Sequence, residues 1–264
     1  MSFHRIQPDT SLSHLVECYW IVKDDDNTVR KQKIIPDGFT EIIFHLADPY
    51  RIQLSGSWEI QERNLLAGQI NKYFFLENTG VSHIIGIKLK PTALAHLFNL
   101  NMHEYSNRVA DIHTIKAIDM DNLEKSLRSS SLLEEQVNFI NDYFKKSAAR
   151  LQCNSLPADR AVNLIFEKHG MLSIVETCKA AGVGERQLEN VFKKYIGLSP
   201  KLLQELSASV TFFNCRKRMI RTGPGWLMKP LIMINRILSG ILKPLPAKVR
   251  RLTCLMKRIW LIFL

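Results

Sequence analysis

The chain has 264 residues, 46% of them hydrophobic, and a mean hydropathy of −0.07, enough for two ordinary domains with a buried core. This balance excludes a disordered chain, and no apolar run reaches the roughly 18–20 residues of a membrane helix. MSFHRIQPDT is no basic-then-apolar leader, and the widely spaced Cys18, Cys153, Cys178, Cys215 and Cys254 form no CxxC pair. Neither a disulfide framework nor a zinc site is expected, and a soluble protein of the reducing cytoplasm is.

The net charge of +11 is unevenly spread. From Arg216 onward stand twelve Lys and Arg and no acidic residue, the last acid being Glu205, so the other 24 basic residues face 25 acidic ones. The basicity belongs to the tail and is no sign of nucleic-acid binding by the rest.

In chain order, VECYWIV, KIIPDGFTEIIFHL, YRIQLSG, NLLAGQI, KYFFLEN and SHIIGIKLK are short runs rich in Ile, Val, Phe and Tyr, and predict strands over the first hundred or so residues. Pro36-Asp37-Gly38 predicts a turn, because proline presets φ and glycine accepts a positive one. Lys90-Pro91 ends the last strand and TALAHLFNL follows with helical spacing. Two more helices are expected within 119–150, one carrying Leu123 and Leu127, the other striped by Leu133, Val137, Ile140 and Phe144. Residues 1–150 thus read as a β-rich sensing or dimerisation domain, a small barrel or sandwich with terminal helices. Its aromatics Tyr19, Trp20, Phe39, Phe44, Trp58, Phe74 and Phe75 fit a core at their spacing, or the lining of an effector pocket.

A polar stretch ending at Pro157 marks the boundary, and residues 155–207 read as all-helical. DRAVNLIFEKHG gives one helix, SIVETCKAAG a second, VGERQLENVFKKYIG a third, and SPKLLQEL starts a fourth with Ser199 as its cap and Pro200 at its first position. Val175, Cys178 and Ala181 are expected on the inner face of the second helix, and Leu188, Val191, Phe192 and Tyr195 on that of the third. Two short helices with such faces, joined by a tight turn at Gly182, make a helix-turn-helix whose second helix can enter the major groove. The outward face carries Arg186, Gln187, Glu189, Asn190, Lys193 and Lys194. Arg pairs two ways with guanine, Gln and Asn with adenine, Glu accepts from cytosine, and lysines suit phosphates. The plainer reading is a small helical subdomain with a solvated face.

The run LSIVETCKAAGVGERQLENVFKKYIGLSPKLL resembles the first helix-turn-helix of the AraC/XylS family of bacterial transcription regulators, most specifically in ERQLxxxFKKxxGLSPK from Glu185 to Lys201. The resemblance implies base contacts at Arg186, Glu189 and Asn190 and adds Lys201 to the DNA-binding set. Asn190 departs from the family, which usually has arginine there, so the family's sequence preference does not transfer. IIPDGFTEIIFHL (34–46) and GIKLKPTAL (86–94) are similar to a domain found ahead of such modules, which implies an uncharacterised sensing or dimerising domain with no ligand assigned.

Beyond Glu205 the resemblance stops, although the family has a linker helix and a second helix-turn-helix there. Joining the last base of each codon to the first two of the next, from Met233 to Arg250, permits DQSHFIRDFKAFTGESP, which resembles that second motif; Met233 followed by Ile234 forces its aspartate. The same frame permits RYIFQL between 209 and 222 and a family-like ending after 251. A frameshift between about Glu205 and Ser209 accounts for the missing acids and the excess charge together. Residues 208–264 are then an irregular tail without evolved function, and the remaining single motif binds specific DNA poorly. A membrane-surface role for the cationic, apolar tail is the competing reading, broken by seven prolines and glycines between 223 and 246.

An enzyme is not expected. The eight histidines show no HxxxH or HxH spacing, and GVGERQ lacks the spacing and preceding strand of a phosphate loop. Asp37 reads as a turn residue, Glu41 as a solvated strand position, and His45 as a satisfied core histidine. The expectation is an α+β fold, with a β-rich barrel- or sandwich-like domain, an all-α helix-turn-helix domain and the tail. The partners expected are double-stranded DNA, a small-molecule effector of unassigned identity and a second copy of the chain, with no cofactor, metal or membrane. A ligand-binding or dimerisation module without DNA binding is the alternative.

Overall fold

The computed structural model describes residues 1–149, 151 and 156–222, with side chains as far as residue 211. The first hundred or so residues fold into ten strands: β1 Ser2–Ile6, β2 Val16–Asp24, β3 Lys31–Ile34, β4 Thr40–His45, β5 Arg51–Gln53, β6 Glu59–Ile60, β7 Asn64–Ala67, β8 Phe74–Glu77, β9 Ser82–Leu89 and β10 Val109–Asp111. They pair antiparallel in two sheets, of order β1-β2-β9-β4-β7-β10 and β3-β8-β5-β6. At the expected turn, Gly38 takes φ +84°, and the Asp37 carboxylate accepts from the Phe39 amide at 3.2 Å.

Strand alternation gives the six-stranded sheet two different faces. One packs on helices α1 Ala93–Phe98, α2 Asp121–Ser129 and α3 Leu133–Ala148, where Ile42, Phe44, Leu94, Leu127, Ile140 and Phe144 are sealed from solvent. The other turns toward the four-stranded sheet. The order of layers is helices, large sheet, small sheet. This is an α+β architecture, with a sandwich-like β-rich region followed by a helical one.

Helices α4 Pro157–Glu167, α5 Ile174–Ala181, α6 Glu185–Tyr195 and α7 Pro200–Thr222 follow, around a second core that includes Ala161, Ile165, Leu188, Phe192, Ile196 and Leu203. The tail expected to be irregular from 208 begins as helix instead, α7 running on to Thr222. No glycine or proline stands between Lys201 and Thr222, so nothing breaks the helix before Gly223-Pro224. The readings made for 223–264, the shifted second motif included, lie outside the described residues. Among the described residues, no helix is long and apolar enough to cross a membrane.

Residues 1–209 form one compact unit, and specific contacts hold the helical region to the β-rich one. Phe39 stacks on Phe166 with ring centroids 4.9 Å apart and planes 21° from parallel. Ser106 donates to the Gly197 carbonyl at 2.6 Å. On α4, the Asp159 carboxylate accepts from Thr92 at 2.7 Å and from His96 at 2.9 Å, and also caps its own helix by accepting from the Leu156 amide at 2.9 Å.

Burial alone would raise the Asp159 carboxyl, but the bonds from His96 and Thr92 outweigh it and hold the group below the ordinary 3.8. A depressed carboxylate stabilises the fold fully above its unfolded value and ceases to as pH falls through the folded one. Asp159→Asn is therefore expected to cost about 1–2 kcal/mol at pH 7, with the deficit shrinking as pH falls below 3.8. Urea unfolding of both proteins across pH measures it.

Candidate functional site

Local sequence fixes the helix-turn-helix. Ser173 caps α5, its hydroxyl accepting from the Glu176 amide at 3.2 Å while the Glu176 carboxylate accepts from the Ser173 amide at 2.7 Å. Gly182 ends α5 at φ +71°, a left-handed conformation that favours glycine, and Gly184 caps α6 two residues later. Arg160 of α4 donates to the Ala181 carbonyl at 2.6 Å, placing a cation at the negative end of α5.

The inner face of α5 is rotated from the expected one. Val175 is 72% exposed. Ile174, Thr177, Cys178 and Ala181, at i, i+3, i+4 and i+7, are the residues turned inward. A threonine serves there because its hydroxyl is satisfied: Thr177 donates to the Ser173 carbonyl at 2.9 Å and accepts from Gln204 of α7 at 2.8 Å. On α6, Leu188 and Phe192 are fully buried, and Val191 and Tyr195 half-buried.

Opposite them, Arg186, Gln187, Glu189, Asn190, Lys193 and Lys194 are all exposed. Arg186, Glu189, Asn190 and Lys193 form one stripe at i, i+3, i+4 and i+7, flanked by Gln187 and Lys194. No hydrogen bond or ion pair among the described residues engages these side chains; Lys194 stands 5.1 Å over the Tyr195 ring. Lys201, in the first turn of α7, is also exposed. The face thus carries unengaged donors and acceptors on a rigid helix.

A second feature lies in the β-rich region, where the aromatics left a pocket lining open as an alternative to core. Between the two sheets lies a cavity of about 360 Å³. Glu41, Ile43 and His45, alternate residues of β4, line it from the large sheet; Ile34, Ile52, Phe74 and Leu76 do so from the small one. Trp20 lies across β9 at Gly86, its register partner, where a Cβ would come within 1.9 Å of the indole. Lys88, directly opposite Glu41 in the β4–β9 register, holds its ammonium 3.7 Å from the Glu41 carboxylate, and the Trp20 indole also favours the ionised form of that group. Burial pushes the Glu41 carboxyl above the ordinary carboxylate range despite Lys88. The expectation of a solvated strand position for Glu41 is therefore corrected: the polar place in the β4 alternation faces a covered interior. Lys88 also pairs with Asp37, and its ammonium sits 5.0 Å over the Phe39 ring.

His45 is 1% exposed and donates through Nδ1 to the Glu62 carbonyl at 3.2 Å, which leaves Nε2 as an acceptor; burial lowers its proton affinity. Of the aromatics, Tyr19 and Phe44 are core, Trp20 and Phe74 line the cavity, and Phe39 meets the helical region. Trp58 and Phe75 are covered by the Lys31 ammonium at 5.2 and 4.1 Å. No cluster among the described residues has the ligands for a metal ion.

Residues 4–111 match a family described as a domain of unknown function, DUF6597. No curated protein sequence matches the chain. Among solved structures, it is similar to a 1.65 Å structure of ToxT from Vibrio cholerae, with 9% identity, 83% of this chain and 85% of that chain covered, and a TM-score of 0.42. A second ToxT structure, from Vibrio cholerae O395, gives 9% identity, coverage of 82% and 83%, and a TM-score of 0.40. The AraC-like transcriptional activator CuxR gives 11%, 80% and 85%, and 0.29.

Because Trp20 occupies the space over Gly86, Gly86→Ala is expected to destabilise the protein by about 1–3 kcal/mol and to shift tryptophan emission. A wild-type urea midpoint for this variant would mean that the indole does not lie over β9.

Proposed function

We propose that the chain is a transcription regulator that binds double-stranded DNA in a sequence-specific way through α6, with residues 155–207 as the reading module. Residues 1–150 serve as a sensing or dimerisation domain, and 208–264 as a tail outside the reading module. The observation that carries the reading is the split of α6, sealed through Leu188 and Phe192 on one side and presenting an unengaged stripe of Arg186, Glu189, Asn190 and Lys193 on the other. In the major groove, Arg186 suits a guanine edge, Gln187 and Asn190 an adenine edge, and Glu189 a cytosine amine. Lys193, Lys194 and Lys201 suit the phosphates, which position the helix.

A single helix-turn-helix makes few phosphate contacts, so binding by this chain is weak and steeply salt-dependent. Fluorescence anisotropy with mixed-sequence duplex across a salt series tests the reading. Lys193→Ala is expected to weaken binding for every sequence and to reduce the salt slope by about one unit. An unchanged slope in a triple alanine variant at 186, 193 and 194 would place DNA contact elsewhere. The β-sheet cavity favours a second role alongside the first, binding of a small-molecule effector. If the wild-type chain binds no duplex at low salt, a ligand-binding or dimerisation module without DNA binding becomes the better description.

A further inference from the structure

The cavity between the sheets has a one-sided chemistry. Most of its wall is apolar, formed by Trp20, Ile43, Ile52, Phe74, Leu76 and Ile84 among others. Among the described residues of the lining, Glu41 alone has a charged side chain, and none is a lysine or arginine. The nearest basic side chain to Glu41, Lys88, stands 3.7 Å from it but is shared with Asp37, so two carboxylates face one ammonium. Met1, at the cavity mouth, has its α-amino group 3.1 Å from Asp24. His45, buried on the same face of β4, has Nδ1 engaged and offers only the acceptor Nε2. Glu41 and His45 stand four residues apart on one face of β4, roughly 13 Å along the strand.

We propose that this cavity binds a largely apolar molecule bearing a hydrogen-bond-donating head, an amine above all, which Glu41 receives, and that it discriminates against carboxylic acids. This rests on reading the β-rich region as an effector-binding domain and names the class of effector. A carboxylate entering the cavity brings a third negative group beside Asp37 and Glu41, which already share the one ammonium of Lys88, so one of the three must be protonated at a cost in affinity. An ammonium instead gives the two carboxylates a second cation and favours the ionised form of Glu41, while its alkyl or aryl body fills the apolar wall. A neutral hydroxyl head falls between the two. The strand partner Lys88, 3.7 Å from the Glu41 carboxylate, orients the acceptor before the ligand arrives.

Calorimetric titration of the full chain at pH 7 with n-octylamine, 1-octanol and octanoate, three probes of one body and different heads, tests the proposal. Octylamine is expected to bind at least tenfold more tightly than octanoate. Glu41→Gln is expected to remove that preference while leaving octanol nearly unchanged. Ala67→Leu, which fills the cavity from β7, or Ile43→Phe, which fills it from β4, is expected to abolish binding of all three. If octanoate binds as tightly as octylamine and either filling variant blocks it, the cavity is an effector site and the assigned class is wrong. Retained amine preference in Glu41→Gln also overturns the assignment. If no probe binds, or if the filling variants change nothing, the effector reading itself fails. The three-probe comparison on wild-type protein decides the class even if a variant does not fold.

Discussion

The Asp37-Gly38-Phe39 turn is the point on which the arrangement depends. On one side, Asp37 neutralises Lys88, the ammonium that stands beside Glu41 at the cavity floor. On the other, Phe39 lies flat on Phe166 of α4. Between them, Gly38 takes a positive φ, and a Cβ there would come within 2.7 Å of Leu203 of α7. Its carbonyl accepts from the buried Gln69 side chain at 2.8 Å. A residue with a side chain would pay twice at this position, in backbone strain and in overlap with the helical core. Three successive residues thus touch the charged group beside Glu41, helix α4 and the start of α7.

This continuity gives the proposed sensing and reading functions a physical connection. A head group engaging Glu41 alters the field that Lys88 experiences, and Lys88 divides its charge between Glu41, Asp37 and the Phe39 ring. Coupling between two sites requires an element whose equilibrium both bias. The Phe39–Phe166 stack and the Asp159 bonds to Thr92 and His96 are the contacts whose making or breaking would change how α4 is held.

Much of this was legible in the sequence, for identifiable reasons. Long runs such as SHIIGIKLK and the turn at Pro36-Asp37-Gly38 announce strands and their ends because β-branched runs and a positive-φ glycine have few other uses. The split of α6 follows from its 3.6-residue period. Three elements gave no such signal. β1, β6 and β10 are edge strands, β6 only two residues long and β10 three, and β10 pairs with β7, some forty residues earlier. Val175 against Thr177 was misjudged because hydrophobicity favours valine, whereas tertiary packing seats a threonine whose hydroxyl meets Gln204. The cavity stayed hidden because an apolar–polar alternation in β4 looks the same whether the polar face meets water or a second sheet. Only the pairing of β3, β8, β5 and β6 into a separate sheet decides that.

The central claim, that the exposed stripe of α6 reads base edges, is tested most directly by selecting binding sites for the full chain from a randomised duplex library, in parallel with Arg186→Ala and Asn190→Ala. The account predicts a short motif for the wild type. Each variant should lose base preference at one position of that motif and keep the rest. Recovery of the same motif by all three proteins would contradict it and move the reading surface off α6.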